Sequence, residues 1–482
     1  MSEWSITFPD SVWSRLQDHV FPGDHGEHGA VVSAGVSRGQ GGLRLLARDV
    51  FLAQDGVDYV PGTRGYRRLE PHFVRDRILA CRDEELAYLA VHNHGGTDSV
   101  GFSLEDLDSH ERGYPALLDI GRGVPVGALV LAKRAIAGDL WLPGGERQAL
   151  NHATVIGRRV TRYRPKAGSA STPAAGRFDR QARLLGDAGQ ALLKDLRVGI
   201  IGCGGVGMLL VEYLSRLGVG HLVVVDPERV DPTNLPRLPG ARRGDTGWFT
   251  HARWPAGLRA WGRGHARPKV EVAQRLAHEG DPDIEVEAIF GNVLESALAA
   301  RFTDVDYLFL AADTMQARLL FNAIVHQYLV PGVQLGSKVS LNAATGQVLD
   351  VHSVVRPVTP DAGCLWCNEL ISPRRLAEEA LTERERQAQR YVDDPEVVAP
   401  SVITLNAVAA AHAATDFLFA MTGLVEPDAA ADYFRSRPRV RDARWDRPRR
   451  DDGCTESGRN ARSRFARGDG VTLPVRARGS AG

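Results

Sequence analysis

Apolar positions along the chain fall into two textures with a polar break between them. Up to about residue 160, strand-like apolar runs (AVVSAGV at 30–36, ELAYLAVHNH at 85–94, VGALVLAKRAIAG at 126–138) are mixed with helical stretches. That mixture predicts an α/β layer domain. The break is PKAGSASTPAAG, Pro165–Gly176, small, polar and punctuated by Pro and Gly, with little to bury. After it the period alternates: a helix over Gln181–Leu193, a strand over Arg197–Ile201, a Gly-rich turn, a helix to about Leu217 and a strand over Leu222–Val225. This is a βαβ unit, and it predicts a Rossmann-like, mostly parallel, doubly wound sheet. A further strand is expected at Asp306–Ala312 and β-rich sequence from Val333 to about Val358. Gly247–Arg267, rich in Trp, Arg, Gly and His, matches no element and reads as an insertion; the Arg-rich stretch beyond about Asp432 reads as loop. The boundaries follow: a domain at 1–162, a linker at 163–176, a second domain at 177–431 and a tail at 432–482.

Ser401–Leu424 is apolar over about the length of a membrane span, but it carries Asn406, His412 and Asp416 among many alanines. It reads as a core or interface helix. Composition then narrows the classes. The 59 basic and 59 acidic residues cancel, so no global charge favours nucleic acid or a membrane surface. Five cysteines do not suggest a disulfide framework, and MSEWSITFPD lacks the basic and apolar segments of a secretory signal. A cytoplasmic protein is expected.

The first chemical signal is VHNHGGTDSVGFSLEDLD, from Val91. Strand alternation puts His92 and His94 on one face, where two imidazoles can share a metal. Asp106 can add a carboxylate oxygen to a zinc site that keeps a place for water. Glu27, ahead of an apolar strand, is the candidate general base, and Ser103 can donate to an oxyanion. Ser103-x-x-Asp106 equally matches a helix N-terminal capping box. Glu, His-x-His and Ser-x-x-Asp together resemble the JAB/MPN (JAMM) metalloprotease family over roughly residues 10 to 160. The resemblance implies an α/β domain with zinc on His92, His94 and Asp106, Glu27 as base and Ser103 as oxyanion donor. Two departures stand out: eight residues, Gly95–Phe102, separate the second His from the Ser where the family usually has seven, and Gly95 replaces the usual Pro.

The second signal is VGIIGCGGVG, from Val198. Gly202, Gly204, Gly205 and Gly207 follow a strand and open a helix, as a phosphate-binding turn requires. Asp226 ends the next strand, where a carboxylate can hold ribose hydroxyls. An NAD-dependent oxidoreductase fits that much. Asn234, Arg237 and Lys269 shift the reading, because cations beside a phosphate loop suit a triphosphate. Asp313, at a strand end with Arg318 beyond, suits magnesium. Arg177 and Arg180 lie upstream in RFDRQARLLG. Together these residues resemble the ThiF/MoeB/HesA family, relatives of ubiquitin-activating enzymes, from about Arg177 to about Leu424. The resemblance implies ATP on the glycine loop, Asp226 on the ribose, Asn234, Arg237 and Lys269 on the phosphates, and Mg²⁺ on Asp313. It also implies Arg180 as a finger reaching into a partner subunit of a homodimer. The implied reaction is adenylation of the C-terminal glycine of a ubiquitin-fold or sulfur-carrier protein.

Cys364-x-x-Cys367 is a CxxC pair, and relatives carry a second pair that completes a structural zinc site; here Cys454 is present but Ser457 stands where its partner belongs, so three thiolates on zinc, a vestigial site and redox use of the pair are the readings. No cysteine lies between Cys367 and Cys454, so no internal thioester is expected. The leading expectation couples hydrolytic processing by the first domain to adenylation by the second. The alternatives are adenylation of a peptide or small carboxylate with the first domain as a binding module, a scaffold with only the nucleotide site active, and the NAD oxidoreductase.

Overall fold

The computed structural model describes residues 4–24, 26–61, 67–168, 176–342, 345–381, 400–426 and 429–476. The chain divides into two compact units. Met1–Ala170, His326–Leu329 and Asp451–Thr472 form the first; Ser171–Val325, Val330–Arg450 and Leu473–Gly482 form the second. Residues 169–175 of the expected linker lie outside the described residues.

The first unit is built on eight strands: β1 (Trp4–Pro9), β2 (Gly29–Gly39), β3 (Gly42–Leu52), β4 (Ala87–Asn93), β5 (Val126–Leu131), β6 (Ile136–Trp141), β7 (Arg147–Ile156) and β8 (Val160–Tyr163). Their order is β1-β3-β2-β4-β5-β6-β7-β8, and β1 also pairs in parallel with β7, so the sheet closes on itself in a barrel-like way. Helices α1 (Asp10–Val20), α2 (Pro71–Asp83) and α3 (Leu104–Gly121) complete the unit. Period-two alternation sorts side chains into two cores. Val32, Leu89 and Leu129 pack with Trp4, Phe8 and Leu16; Val31, Tyr88 and Ala128 pack with Phe73 and Ile78 of α2 and Tyr114 of α3.

Residues 451–472 are integral to this unit. Buried Arg48 of β3 donates to the carbonyls of Phe465 and Asn460, the latter at 2.7 Å. Gly35 of β2 has no room for a side chain, since a Cβ there would stand 2.1 Å from the Ala466 carbonyl oxygen. Gly35→Ala is therefore expected to destabilise this unit by about 1–3 kcal/mol through overpacking, read as a lowered thermal midpoint.

The second unit carries β9 (Arg197–Ile201), β10 (His221–Asp226), β11 (Glu285–Phe290), β12 (Tyr307–Leu310), β13 (Gly332–Leu341), β14 (Val348–Val358), β15 (Tyr433–Arg437) and β16 (Asp442–Asp446). The order is β11-β10-β9-β12-β13-β14-β15-β16. Strands β9 to β13 are parallel, as the βαβ pattern predicts. The β13–β14, β14–β15 and β15–β16 pairs are antiparallel. The reason is local: residues 342–347 are too few for a crossover, so β14 must return beside β13. The stretch read as a loop-rich tail thus supplies two strands, held by Phe434 stacking on His412 (4.1 Å) and meeting Trp445 (4.9 Å).

Among the described residues its helices are α4 (Asp179–Asp195), α5 (Gly205–Leu217), α6 (Ala256–Gly264), α7 (Lys269–Gly280), α8 (Ser296–Ala299), α9 (Met315–Gln327, whose last two residues belong to the first unit), α10 (Pro373–Ala380) and α11 (Ile403–Thr422). The insertion with no expected element contains α6. Helix α11 is long and apolar enough to cross a bilayer by length and composition. It nevertheless packs on the sheet: Ala409, Ala410, Ala413 and Ala414 are buried, and Phe417 meets Tyr307 at 5.0 Å and Phe309 at 5.6 Å. Its Asn406 accepts a 2.5 Å hydrogen bond from Ser337.

Candidate functional sites

Strand β4 delivers His92 and His94 to one face, and α3 begins opposite them with Ser103 as its N-cap. The imidazole Nε2 atoms lie 3.2 Å apart; Asp106 places Oδ1 3.5 Å from His92 Nε2 and Oδ2 3.4 Å from His94 Nε2. One ligand atom from each of the three falls within 4.8 Å of the others. His94 Nδ1 donates to the Gly101 carbonyl at 3.1 Å, which fixes the tautomer and leaves Nε2 as the free lone pair. Glu27 Oε1 is 4.0 Å from His94 Nε2. Burial pushes the Asp106 carboxyl up, but its bonds with His92, His94 and Ser103 outweigh this and hold it well below the usual carboxylate range. Chiefly through Asp106, the His94 imidazole is shifted up. Half-buried, oxygen- and nitrogen-bearing and net acidic, this donor set fits zinc.

Two features qualify the expected roles. Ser103 and Asp106 form a reciprocal capping box, and Ser103 Oγ also donates to Asp106 Oδ2 at 2.8 Å. The hydroxyl hydrogen is thus directed at Asp106 and must turn to serve an oxyanion. The loop Gly95–Phe102 is pinned, with Val100 N–H bonded to the Pro165 carbonyl (3.0 Å) and Ala167 N–H to Asp98 (2.7 Å). Across this eight-residue loop His94 Nε2 and Asp106 Oδ2 stand 3.4 Å apart. Asn93, between the two histidines and on the opposite face, was not singled out. Its Oδ1 accepts from His28 N–H at 2.6 Å and ties the Glu27 segment to β4.

In the second unit, the order β11-β10-β9-β12-β13 puts the switch point between β9 and β12, where open α/β sheets hold ligands beyond the strand carboxyl ends. The glycine loop turns there. Gly202 has φ +100°, and a Cβ on it would stand 2.9 Å from Ala312 N, just ahead of Asp313. At Gly207 a Cβ would lie 1.9 Å from the Gly202 carbonyl oxygen, and at Gly205 3.0 Å from that of Arg237. Gly204 faces open space. Arg237 and Asp313 are thereby brought beside the loop. Lys269 opens α7, is 6% exposed, and pairs its ammonium with Glu228. Asn234 is buried, and its Oδ1 accepts from Asp231 N–H at 3.1 Å.

Asp226 sits where the sequence puts it, at the end of β10, but its carboxylate is already engaged. Oδ2 accepts from Cys203 N–H at 2.7 Å and Oδ1 from Glu228 N–H at 2.8 Å. Burial raises its pKa, with Lys269 opposing. These two amide bonds tie Asp226 to the glycine loop; the neighbouring Glu228 is exposed and pairs with Lys269. Glu228 was missed because nothing in its local sequence marks it as the partner of a lysine 41 positions away. Glu379 of α10 was missed too. Its carboxylate accepts from Met315 N–H and Gln316 N–H, both at 2.9 Å, and caps α9 beside Asp313.

Upstream of the sheet, Arg177 pairs with Asp281 (2.5 Å) and Asp283 (3.2 Å), a structural use. Arg183 pairs with Asp179 (2.8 Å), whereas Arg180 is exposed and has no acidic partner among the described residues. Cys364 and Cys367 form no disulfide, and their Sγ atoms lie 3.3 Å apart; Cys454 is buried in the first unit. Cys203 is fully buried, and burial pushes its thiol pKa well up.

The ThiF family profile matches residues 178–454. The chain is similar to the SAMP-activating enzyme E1 of Haloferax volcanii, with 27% identity over 198 residues that cover 40% of this chain and 62% of that protein. It is also similar to ubiquitin-like modifier-activating enzyme 5 of Drosophila ananassae, 26% identical over 205 residues, 40% of this chain and 45% of that protein. The chain thus spans less than two thirds of either relative. Among solved structures, MccB of E. coli aligns over 59% of this chain and 72% of its own at 20% identity, with a TM-score of 0.43. A profile covering more than half of the sequence, over the segment that builds the glycine loop, Lys269 and Asp313, identifies the chain as a member of the ThiF family.

Proposed function

We propose that the second unit adenylates the C-terminal carboxylate of a small ubiquitin-fold or sulfur-carrier protein, and that the first unit is a zinc-dependent JAMM-type peptidase that processes the same class of polypeptide. The observation that carries the first part is the gathering of the open glycine loop, Arg237, Lys269 and Asp313 at the ends of β9, β10 and β12. A substrate carboxylate oxygen attacks the α-phosphorus of ATP, and the bond to the β-phosphate bridging oxygen breaks to release pyrophosphate. Such a reaction needs positioning and charge neutralisation more than acid–base chemistry. Loop amides and the α5 N-terminus take the phosphates, Arg237 and Lys269 neutralise charge on the leaving group, and the carboxylates of Asp226 and Glu228 at the end of β10 meet the ribose. Magnesium, which Asp313 would hold, adds charge neutralisation. Exposed Arg180 suits a finger shared across a homodimer. Names of the two relatives, referring to SAMP and to a ubiquitin-like modifier, support a protein substrate.

In the first unit, zinc held by His92, His94 and Asp106 would supply a Lewis acid that makes water a better nucleophile. Glu27 takes the water's proton and later returns it to the leaving amine. Ser103, once rotated from Asp106, donates to the oxyanion. A further zinc on Cys364 and Cys367 is a structural element of the proposal.

ATP–pyrophosphate exchange tests the adenylation reading. Exchange stimulated by a ubiquitin-fold protein ending in Gly-Gly supports it, and exchange with no acceptor of any kind counts against it. Cys81, Cys203, Cys364 and Cys454 are buried and the proposal gives half-buried Cys367 to zinc, so the acyl-adenylate is expected to pass to an outside acceptor. With ATP and the same protein, a non-reducing gel should show no reducible adduct on this chain; such an adduct would reveal an internal thioester.

A further inference from the structure

The insertion at 247–267 belongs to none of the machinery above. It carries Arg253, Arg259, Arg263, Arg267, His251 and His265, and no Asp or Glu. It is nonetheless built. Trp248 N–H bonds to the Gly262 carbonyl at 3.2 Å, and only glycine fits at 262, since a Cβ would stand 1.8 Å from the Trp248 carbonyl oxygen. That close approach folds Trp248 back onto α6. Its ring stacks on His265 at 4.7 Å, with Trp261 4.4 Å from the same imidazole; Phe249 meets Trp254 at 5.1 Å. The cluster is not buried: Trp248 is 56% exposed, Trp261 51% and Leu258 41%. Arg267 is neutralised by Asp245 and Glu271, but among the described residues no acid pairs with Arg253, Arg259 or Arg263.

The insertion is also tied to the nucleotide site. Arg267 N–H bonds to Asp245 (2.8 Å) and Val230 N–H to the Arg267 carbonyl (2.9 Å), two residues ahead of Lys269. A solvated basic face does not need ordered, exposed tryptophans. Tryptophan and arginine together are what recognition hot spots use, and arginines with no acid beside them, Arg253 over the Trp254 ring at 5.3 Å among them, suit an acidic partner.

We propose that this insertion docks an acidic stretch, bearing an apolar side chain, of the polypeptide whose carboxyl end is activated, and so selects the substrate; this rests on the adenylation reading. A polypeptide is favoured over RNA because the rings cover one another. Trp248 and His265 lie only 11° from parallel, which uses up a face that a base would need for stacking.

The test uses the full chain and fluorescein-labelled peptides ending in Gly-Gly: one rich in Asp and Glu with a leucine, one with lysines in their place, and a uridine oligonucleotide of similar length. Binding is read by anisotropy, and ATP–pyrophosphate exchange is measured separately with the same peptides. The acidic peptide is expected to bind about tenfold or more tighter than the lysine peptide. Arg253→Glu/Arg259→Glu/Arg263→Glu should abolish that preference, and Trp261→Ala should weaken acidic-peptide binding. Should the triple variant lose its fold by circular dichroism, Arg263→Glu alone and a salt titration give the same reading. Equal binding of both peptides, a preference that survives charge reversal, or tighter binding of the oligonucleotide through these arginines would overturn the proposal. Exchange without charge preference defeats docking and leaves adenylation standing; charge-selective binding with no exchange does the reverse.

Discussion

Lys269→Ala is expected to lower ATP–pyrophosphate exchange by about a hundred- to a thousandfold, the scale of losing one preorganised group at developing charge. The reasons lie in its setting. Lys269 is 6% exposed, so its charge acts away from bulk water, and it is held by Glu228. The pairing is asymmetric, because the Glu228 side chain is 67% exposed. Removing the lysine leaves a carboxylate that water can solvate, so the fold should survive and the thermal midpoint should move little. Arginine should not restore activity, since the buried site is shaped for an ammonium. Exchange close to wild type in Lys269→Ala would remove this residue from the chemistry.

Glu27→Gln is the second large effect. If Glu27 moves the proton, cleavage of a linear ubiquitin-fold fusion should fall by about 10²- to 10⁴-fold, the range for loss of a general base. Zinc content should stay unchanged, because Glu27 approaches His94 Nε2 only to 4.0 Å and is not needed among the ligands. His94→Ala should lose both metal and cleavage. Full cleavage by Glu27→Gln, or cleavage by wild type after chelation, would refute the hydrolase reading of the first unit.

The elements of chemical interest were legible wherever local period carried the information. Two-residue alternation put His92 and His94 on one face, and the change from strand to glycine turn to helix located the loop at Gly202–Gly207. Local sequence also gave two readings for Ser103-x-x-Asp106, and geometry shows the capping role realised while Asp106 still faces both imidazoles. What sequence did not show is pairing across distance. The engagement of Asp226 by loop amides, the Glu228–Lys269 pair and the Glu379 cap on α9 join segments that no local pattern relates. Residues 451–472 carry no periodic signal, yet Arg48 and Gly35 fit them closely into the first unit. Strands β15 and β16 were hidden by arginines, whose charge masks the aromatic contacts of Phe434 and Trp445.

The most direct test of the account follows an oxygen atom. A Gly-Gly-ended ubiquitin-fold protein, its C-terminal carboxylate labelled with oxygen-18, is incubated with this chain, ATP and a thiol acceptor, and the released nucleotide is weighed by mass spectrometry. If that carboxylate attacks the α-phosphorus, the label appears in AMP and the pyrophosphate is unlabelled. Label in inorganic phosphate with ADP as the nucleotide product, or AMP that never carries the label, would contradict it.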